Sequence, residues 1–275
     1  MNALFPAVVA AAIARPLLAS GNRRNYFFIA LLLGASCAVA AFHLASAGVI
    51  AWPARLGLQA GLDLVLFIVA VVGGRVIPMF TNNGVPGAGA VRRPWIEKVA
   101  LGALLGVLAL DVAGVSGIPL ALLALAAAAA HAARLWLWKP WRTVRTPLVW
   151  ILHASYAWIV VHLALRVVAP LGLVGEHLAT HALTIGVIGG MTIGMMTRTA
   201  RGHTGQPLVA GRSEVACYAL VQAAAVVRVF GALLFPGVYP EGVAVSASCW
   251  SAAFALYFIR YWPLLTRPRP DGKPG

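Results

Sequence analysis

The stretch "HALTIGVIGGMTIGMMTRTARGHTG", residues 181–205, decides how this chain is read. From His181 to Thr197 it is almost wholly apolar, long enough for a helix that crosses a bilayer. A histidine opens it, and His203 sits in a Gly-His-Thr-Gly turn after its end, just past Arg198 and Arg201. A straight helix would separate His181 from His203 by up to about 33 Å, so one metal ion cannot bind both.

The rest of the chain has the same character. Its 275 residues are 61% hydrophobic and 10% charged, where a soluble domain carries about 25% charged residues. Mean hydropathy is +0.87. These values predict an all-α fold, a polytopic transmembrane helix bundle formed as a single domain over 1–275. In lipid every backbone polar group must be satisfied within the protein. A β-barrel is disfavoured because the apolar runs are continuous rather than alternating. The net charge of +14 comes from basic residues placed between apolar runs, as membrane topology requires. The expected partner is therefore the lipid bilayer, and nucleic acid is not. Cys37, Cys217 and Cys249 form no CxxC or CxxCH pattern, so covalent haem attachment and cysteine-rich zinc sites are unsupported.

Apolar runs of about 17 to 25 residues mark spans. They fall near 2–19, 26–46, 57–80, 96–115, 119–138, 147–169, 177–198, 214–236 and 243–264, joined by short turns such as "TNNGVPGAG" at 81–89. Arg23 and Arg24, Arg92 and Arg93, then Lys139, Arg142 and Arg145 follow the first, third and fifth runs. Arg198, Arg201 and Arg212 follow the seventh, and Arg267, Arg269 and Lys273 the ninth. By the positive-inside rule the N-terminus lies outside and the C-terminus is cytoplasmic. Trp95, Trp136, Trp138, Trp141 and Trp262 are then expected as an inner aromatic belt, with Trp52 outside. A reporter after Gly275 or in the 199–213 loop should read cytoplasmic. The first run lacks a basic n-region, which is a poor secretory signal and fits a span emerging from earlier sequence.

Topology converts histidines into depths. His43, His162, His177 and His181 fall in the outer part of their spans. His131, His153 and His203 fall towards the cytoplasmic side, with Arg75 and Arg198. Matching depths on different helices are what a bundle uses to ligate a cofactor, and a neutral imidazole suits haem iron or copper. A carboxylate-based site is not expected, because Asp63, Glu97, Asp111, Glu176 and Glu214 are few and scattered. Each histidine can equally meet water, a head group or a neighbouring helix. His177 and His181 share a helix face. Gly186, Gly190 and Gly194 form a small-residue stripe for close packing, and Met191, Met195 and Met196 read as packing rather than thioether ligands. Arg75 either pairs an anionic group such as a haem propionate or obeys the positive-inside rule. Pro78 should kink or end its helix. Arg228, deeper in its span, should face the bundle.

Three segments, "GGRVIPMFTNN" (73–83), "LHASYAW" (152–158) and "HALTIGVIGGMTIGMMTRTARGHTGQPL" (181–208), resemble the signature segments of the NnrS family. "ARPLLASGNRRNYFF" (14–28) and "FHL" (42–44) fit as well, so the resemblance reaches along nearly the whole chain. It implies a multi-pass protein of the bacterial inner membrane that contains haem b and copper. It also implies a link to nitric oxide tolerance, in denitrification or nitrosative stress. Two departures stand out. The family carries roughly three further N-terminal spans, with an "HxHE"-like segment absent here, and Gln206 stands where arginine is common.

With the resemblance added, His181 is expected to ligate a haem with His43 or His162 opposite, and Arg75 and Arg228 are cofactor-binding candidates. His153, His203 and His177 are metal candidates. His153 with His203 could form a copper centre, or Arg75 and Arg198 could hold an anion there. Otherwise Gly202 and Gly205 merely shape a turn in which His203 caps carbonyls. Two other functions compete: a transporter or export channel, and a non-catalytic assembly partner of respiratory metalloenzymes. Whether the chain is an enzyme is left open.

Overall fold

The computed structural model describes residues 2–270 and 272; Lys273 and Gly275, used above for topology, lie outside them. The chain folds into antiparallel helices without a strand among the described residues. They are α1 (Leu4–Ala19), α2 (Phe27–Ser46), α3 (Ala54–Gly84), α4 (Pro94–Val112), α5 (Ile118–Leu137) and α6 (Pro147–Val168). Then come α7 (Glu176–His203), α8 (Arg212–Leu234) and α9 (Tyr239–Leu265). Among the described residues 7 helices are long and apolar enough to cross a membrane, namely α2, α3 and α5 to α9 with their flanking turns. The remaining two are shorter or more charged. α1 has 16 residues, and α4 carries Glu97, Lys98 and Asp111 within 19. The fold is thus a helical membrane bundle.

Local sequence sets the helix ends. Pro94 and Pro147 open α4 and α6, where a missing N–H costs nothing and the fixed φ suits a first turn. Glu214 reaches back to accept from the Gly211 N–H at 2.8 Å and caps the first turn of α8. Of the two outcomes expected at Pro78, a kink or an end, the helix does not end there and runs on to Gly84. Proline removes the bond to the carbonyl four residues back, a loss that a transmembrane helix tolerates where it is enclosed by neighbours.

α6 is the axis of the bundle. It packs against α3, α5, α7 and α8, whereas α2 touches α1 and α3, and α9 lies on α8. The glycine stripe of α7 faces α6 as expected. A Cβ at Gly186 would strike Trp158, one at Gly190 would strike Ser155 Oγ, and one at Gly194 would come within 3.1 Å of Ile151 and Leu152. The helices approach so closely because these side chains are missing.

α7 and α8 each contain π-helical turns, Ala182–Gly189 and Val227–Gly231. Such widened turns concentrate at functional sites. His181 immediately precedes the first, and Arg228 lies inside the second.

Candidate functional site

Three buried polar assemblies hold the bundle together, each centred on an arginine. The first joins α3, α4, α5 and α6. Arg134 grips Glu97 with two parallel bonds, Nε to Oε1 at 3.1 Å and Nη2 to Oε2 at 3.0 Å. Its Nη2 also donates to the Ala70 carbonyl at 3.0 Å, and its Nη1 donates to Tyr156 Oη at 2.6 Å. Tyr156, having accepted from arginine, turns its own proton to His131 Nδ1 at 2.6 Å. The guanidinium lies against the Trp138 ring, 5.2 Å from its centroid. Trp138 is therefore fully buried and does not belong to the aromatic belt, whereas Trp95, Trp136, Trp141 and Trp262 are exposed. Arginine stacked on an aromatic ring keeps weak hydration needs satisfied.

This hub explains two of the signature segments. Gly74 has no Cβ because Arg134 Nη2 occupies that space, and a Cβ added at Gly73 would meet the Tyr156 ring at 3.5 Å. Thr81 Oγ1 meets His153 Nε2 at 2.8 Å. Asn82 bonds the Ala90 backbone twice, as donor at 2.9 Å and acceptor at 2.8 Å, which fixes the 85–93 loop.

The second assembly lies at the opposite end of α6. Arg166 Nη2 donates to both Asp111 oxygens, at 2.6 and 2.8 Å. Its Nη1 stands 3.7 Å from Asp63 Oδ1, which accepts from Gln59 at 2.8 Å. In the third assembly Arg201 Nη1 pairs with Glu214 at 3.1 Å, Tyr261 donates to the same carboxylate oxygen at 2.9 Å, and Arg201 Nε donates to the Pro207 carbonyl at 2.7 Å. These contacts correct the expectation that the carboxylates are scattered. Asp63 and Asp111, distant in sequence, converge on one arginine, and Glu97 and Glu214 each take another. Arg134, Arg166 and Arg201 were invisible as site residues because charge inside a run reads as topology until its partner is seen.

The histidines fall into distinct environments. His162 is 1% exposed, and its Nδ1 lies 2.8 Å from the Ala179 carbonyl of α7. A carbonyl only accepts, so Nδ1 carries the proton and Nε2 presents a bare lone pair. That lone pair has no partner. His153 repeats the pattern on the other nitrogen. Thr81 spends its proton on Ile77 and accepts from His153 Nε2, which leaves Nδ1 as an unpartnered lone pair. Metal-binding histidines are held in this way, one nitrogen donating to the protein and the other free to ligate. His131 differs: Tyr156, which accepts from Arg134, gives its proton to Nδ1, so the unpartnered Nε2 of His131 carries a hydrogen rather than a lone pair.

The other candidates sit at the surface of the bundle. His43 is exposed on α2 beside Asn2, Ala3, Ala40 and Leu44. His177 is exposed and His181 half-buried, with ring centroids 6.0 Å apart. Tyr239 of α9 lies 6.5 Å from His177 and 5.0 Å beneath the Arg228 guanidinium. Arg228 and Tyr239 also line a cavity of about 370 Å³ between α8 and α9, whose other walls are Val226, Phe230, Leu234 and Phe235. Arg75 Nη1 donates to Asn25 at 3.0 Å, and Arg198 lies 3.7 Å over the Phe80 ring. His153 and His203 are not brought together. His153 is buried against Thr81, whereas His203 is exposed and offers its carbonyl to Arg269 at 3.0 Å. His153 faces α3, while His203 is the last residue of α7. Nor do three His, Cys, Asp or Glu side chains converge as a metal set among the described residues.

The sequence model described as NnrS protein matches residues 1–269, and the chain belongs to that family. No curated protein and no solved structure matches it.

Proposed function

We propose that this NnrS-family chain is a haem b-binding protein of the bacterial inner membrane that protects against nitric oxide and related nitrosative stress. In this reading it crosses the membrane nine times, counting α1 and α4 as spans, with the N-terminus outside and the C-terminus cytoplasmic. The alternation of basic turns supports the orientation. The observation that carries the haem reading is the set of buried imidazoles with a fixed tautomer and an unpartnered lone pair, His162 above all.

His162 and His181 lie on adjoining helices and would supply imidazoles to a haem, and Arg228, which lines the apolar cavity between α8 and α9 that neither histidine lines, would offer a planar cation to a propionate. Haem supplies an iron that binds a diatomic gas and changes oxidation state. The chain's part is to hold the imidazoles neutral and oriented through the Ala179 carbonyl, and to exclude water with the Trp158 and Phe230 rings. Copper fits less well, since His153 and His203 diverge. The His177–His181 pair is the remaining donor set for it, and no step is derived through copper.

The test is an absorption spectrum of purified protein with a pyridine haemochrome assay and copper analysis. A Soret band that His162→Ala and His181→Ala abolish, and His43→Ala preserves, is expected. The same two variants should abolish growth protection against a nitric oxide donor. Protein that carries no haem after expression with haem precursor supplied overturns the reading. One observation favours a transport path instead, namely the π-helical turns in adjoining α7 and α8. Paired irregular helices mark transporter sites. Haem-free protein that still lowers cytoplasmic nitric oxide or its products would support that path.

A further inference from the structure

The Asp63–Asp111–Arg166 assembly carries more negative than positive charge. Asp63 is 3% exposed, Asp111 6% and Arg166 9%. Two carboxyl groups on one guanidinium would leave a net negative charge buried in the bundle, and an uncompensated buried charge is too costly to persist. Either a proton or a cation must balance it.

The hydrogen bonds say which. Both Asp111 oxygens accept from Arg166 Nη2, so Asp111 is the ionised partner. Asp63 Oδ1 takes a neutral donor, Gln59, while Oδ2 has no donor and Arg166 Nη1 has no hydrogen bond. Both carboxyl groups thus face the single Arg166 guanidinium, and only Asp111 is fully paired with it. Of two buried carboxyl groups sharing one cation, the one without a charged hydrogen-bond donor is the one that takes the proton. His162, whose Nε2 lone pair is also unpartnered, lies four residues before Arg166 on α6.

We propose that Asp63 is a proton-binding site, a carboxylic acid held neutral inside the bundle beside the Asp111–Arg166 ion pair. The step is simple: one proton adds to an Asp63 oxygen, and the assembly goes from net −1 to neutral. A polar stripe leads from the site towards the surface. Arg55, Gln59 and Asp63 stand at four-residue steps on one face of α3, passing from exposed through half-buried to buried. At the outer step Arg55 meets Glu176 of α7 at 3.8 Å. The other titratable groups at this end are exposed His43 on α2 and His177 and His181 on α7. On α5, His131 and Arg134 are engaged with Tyr156 and Glu97. The inference stands whether or not haem binds.

Infrared spectroscopy of the full chain in nanodiscs tests it. The sequence has 7 carboxylic side chains. Glu97, Glu214, Asp111 and Glu176 are ion-paired, Glu241 is exposed, and Asp271 lies outside the described residues. A protonated-carboxyl stretch at pH 7.5 is therefore expected from Asp63. It should vanish in Asp63→Asn, which keeps a neutral, hydrogen-bonding side chain and should leave the unfolding midpoint nearly unchanged. Asp111→Asn, which strips Arg166 of its counter-ion, should lower that midpoint strongly. Wild-type protein without such a band overturns the proposal, and this measurement needs no variant to fold. A midpoint that rises with sodium over choline chloride, and loses that response in Asp63→Asn, also overturns it in favour of a bound cation.

Discussion

α2 and α6 are alike in sequence and opposite in role. Each is an apolar helix of about 20 residues with a histidine in its last two turns, His43 in one and His162 in the other. In the α2 span 11% of the most apolar window is buried, against 67% in α6. α2 contacts two helices and leaves Leu33, Leu44 and Cys37 exposed, while α6 is surrounded by four. The difference lies in the neighbours. On α2 a histidine meets the bundle surface; on α6 the same residue is desolvated, tautomerically fixed and left with an open lone pair. What an intramembrane polar group can do is set by which helices enclose it.

The sharpest way to break this contrast is to remove the hub that clamps α6 to α3, α4 and α5. Arg134→Met leaves Glu97 with only the exposed Arg92 as counter-ion and frees Tyr156, and should cost about 3–5 kcal/mol, read as unfolding in denaturing detergent. A loss no larger than that of a surface change would mean the hub does not organise the core. Next, Gly186→Ala drives a methyl into Trp158. It should cost up to about 3 kcal/mol by overpacking and lower any cofactor content, because it pushes α7 away from His162. The same change at Gly34, where the nearest atom is Leu64 Cδ1 at 3.4 Å, should be tolerated. Tyr156→Phe removes one hydroxyl serving both His131 and Arg134. A cost of about 1–2 kcal/mol is expected from the polar groups left unpaired. The smallest effect belongs to α2: His43→Ala should stay within about 0.5 kcal/mol. A large destabilisation there would show that the α1–α2 face is buried against something absent from this chain's own bundle.

The glycine stripe of α7 was legible because its spacing is a one-dimensional property, and its packing on α6 follows from helical geometry. Arg228 was expected to face the bundle because a deep charge has no other outlet; it is half-buried and lies over Tyr239 of α9. Trp138 was misplaced with its exposed neighbours Trp136 and Trp141, because a residue's face cannot be read where a helix ends and the chain turns. Asp63 and Asp111 looked unrelated because 48 positions separate them (111 minus 63), and nothing along the chain says that α3 and α4 meet there.

By itself, the sequence determined that the chain is helical, belongs in a bilayer and carries its basic residues in alternate turns. These follow from hydropathy and charge summed along short windows, which lipid enforces segment by segment. Tertiary structure alone decided which arginine neutralises which carboxylate, which histidines keep a free lone pair, and that two aspartates share one cation. Those outcomes depend on lateral contacts between helices, and in a uniformly apolar sequence many lateral arrangements bury the same surface. Only the buried polar groups, which must find partners, single out one of them.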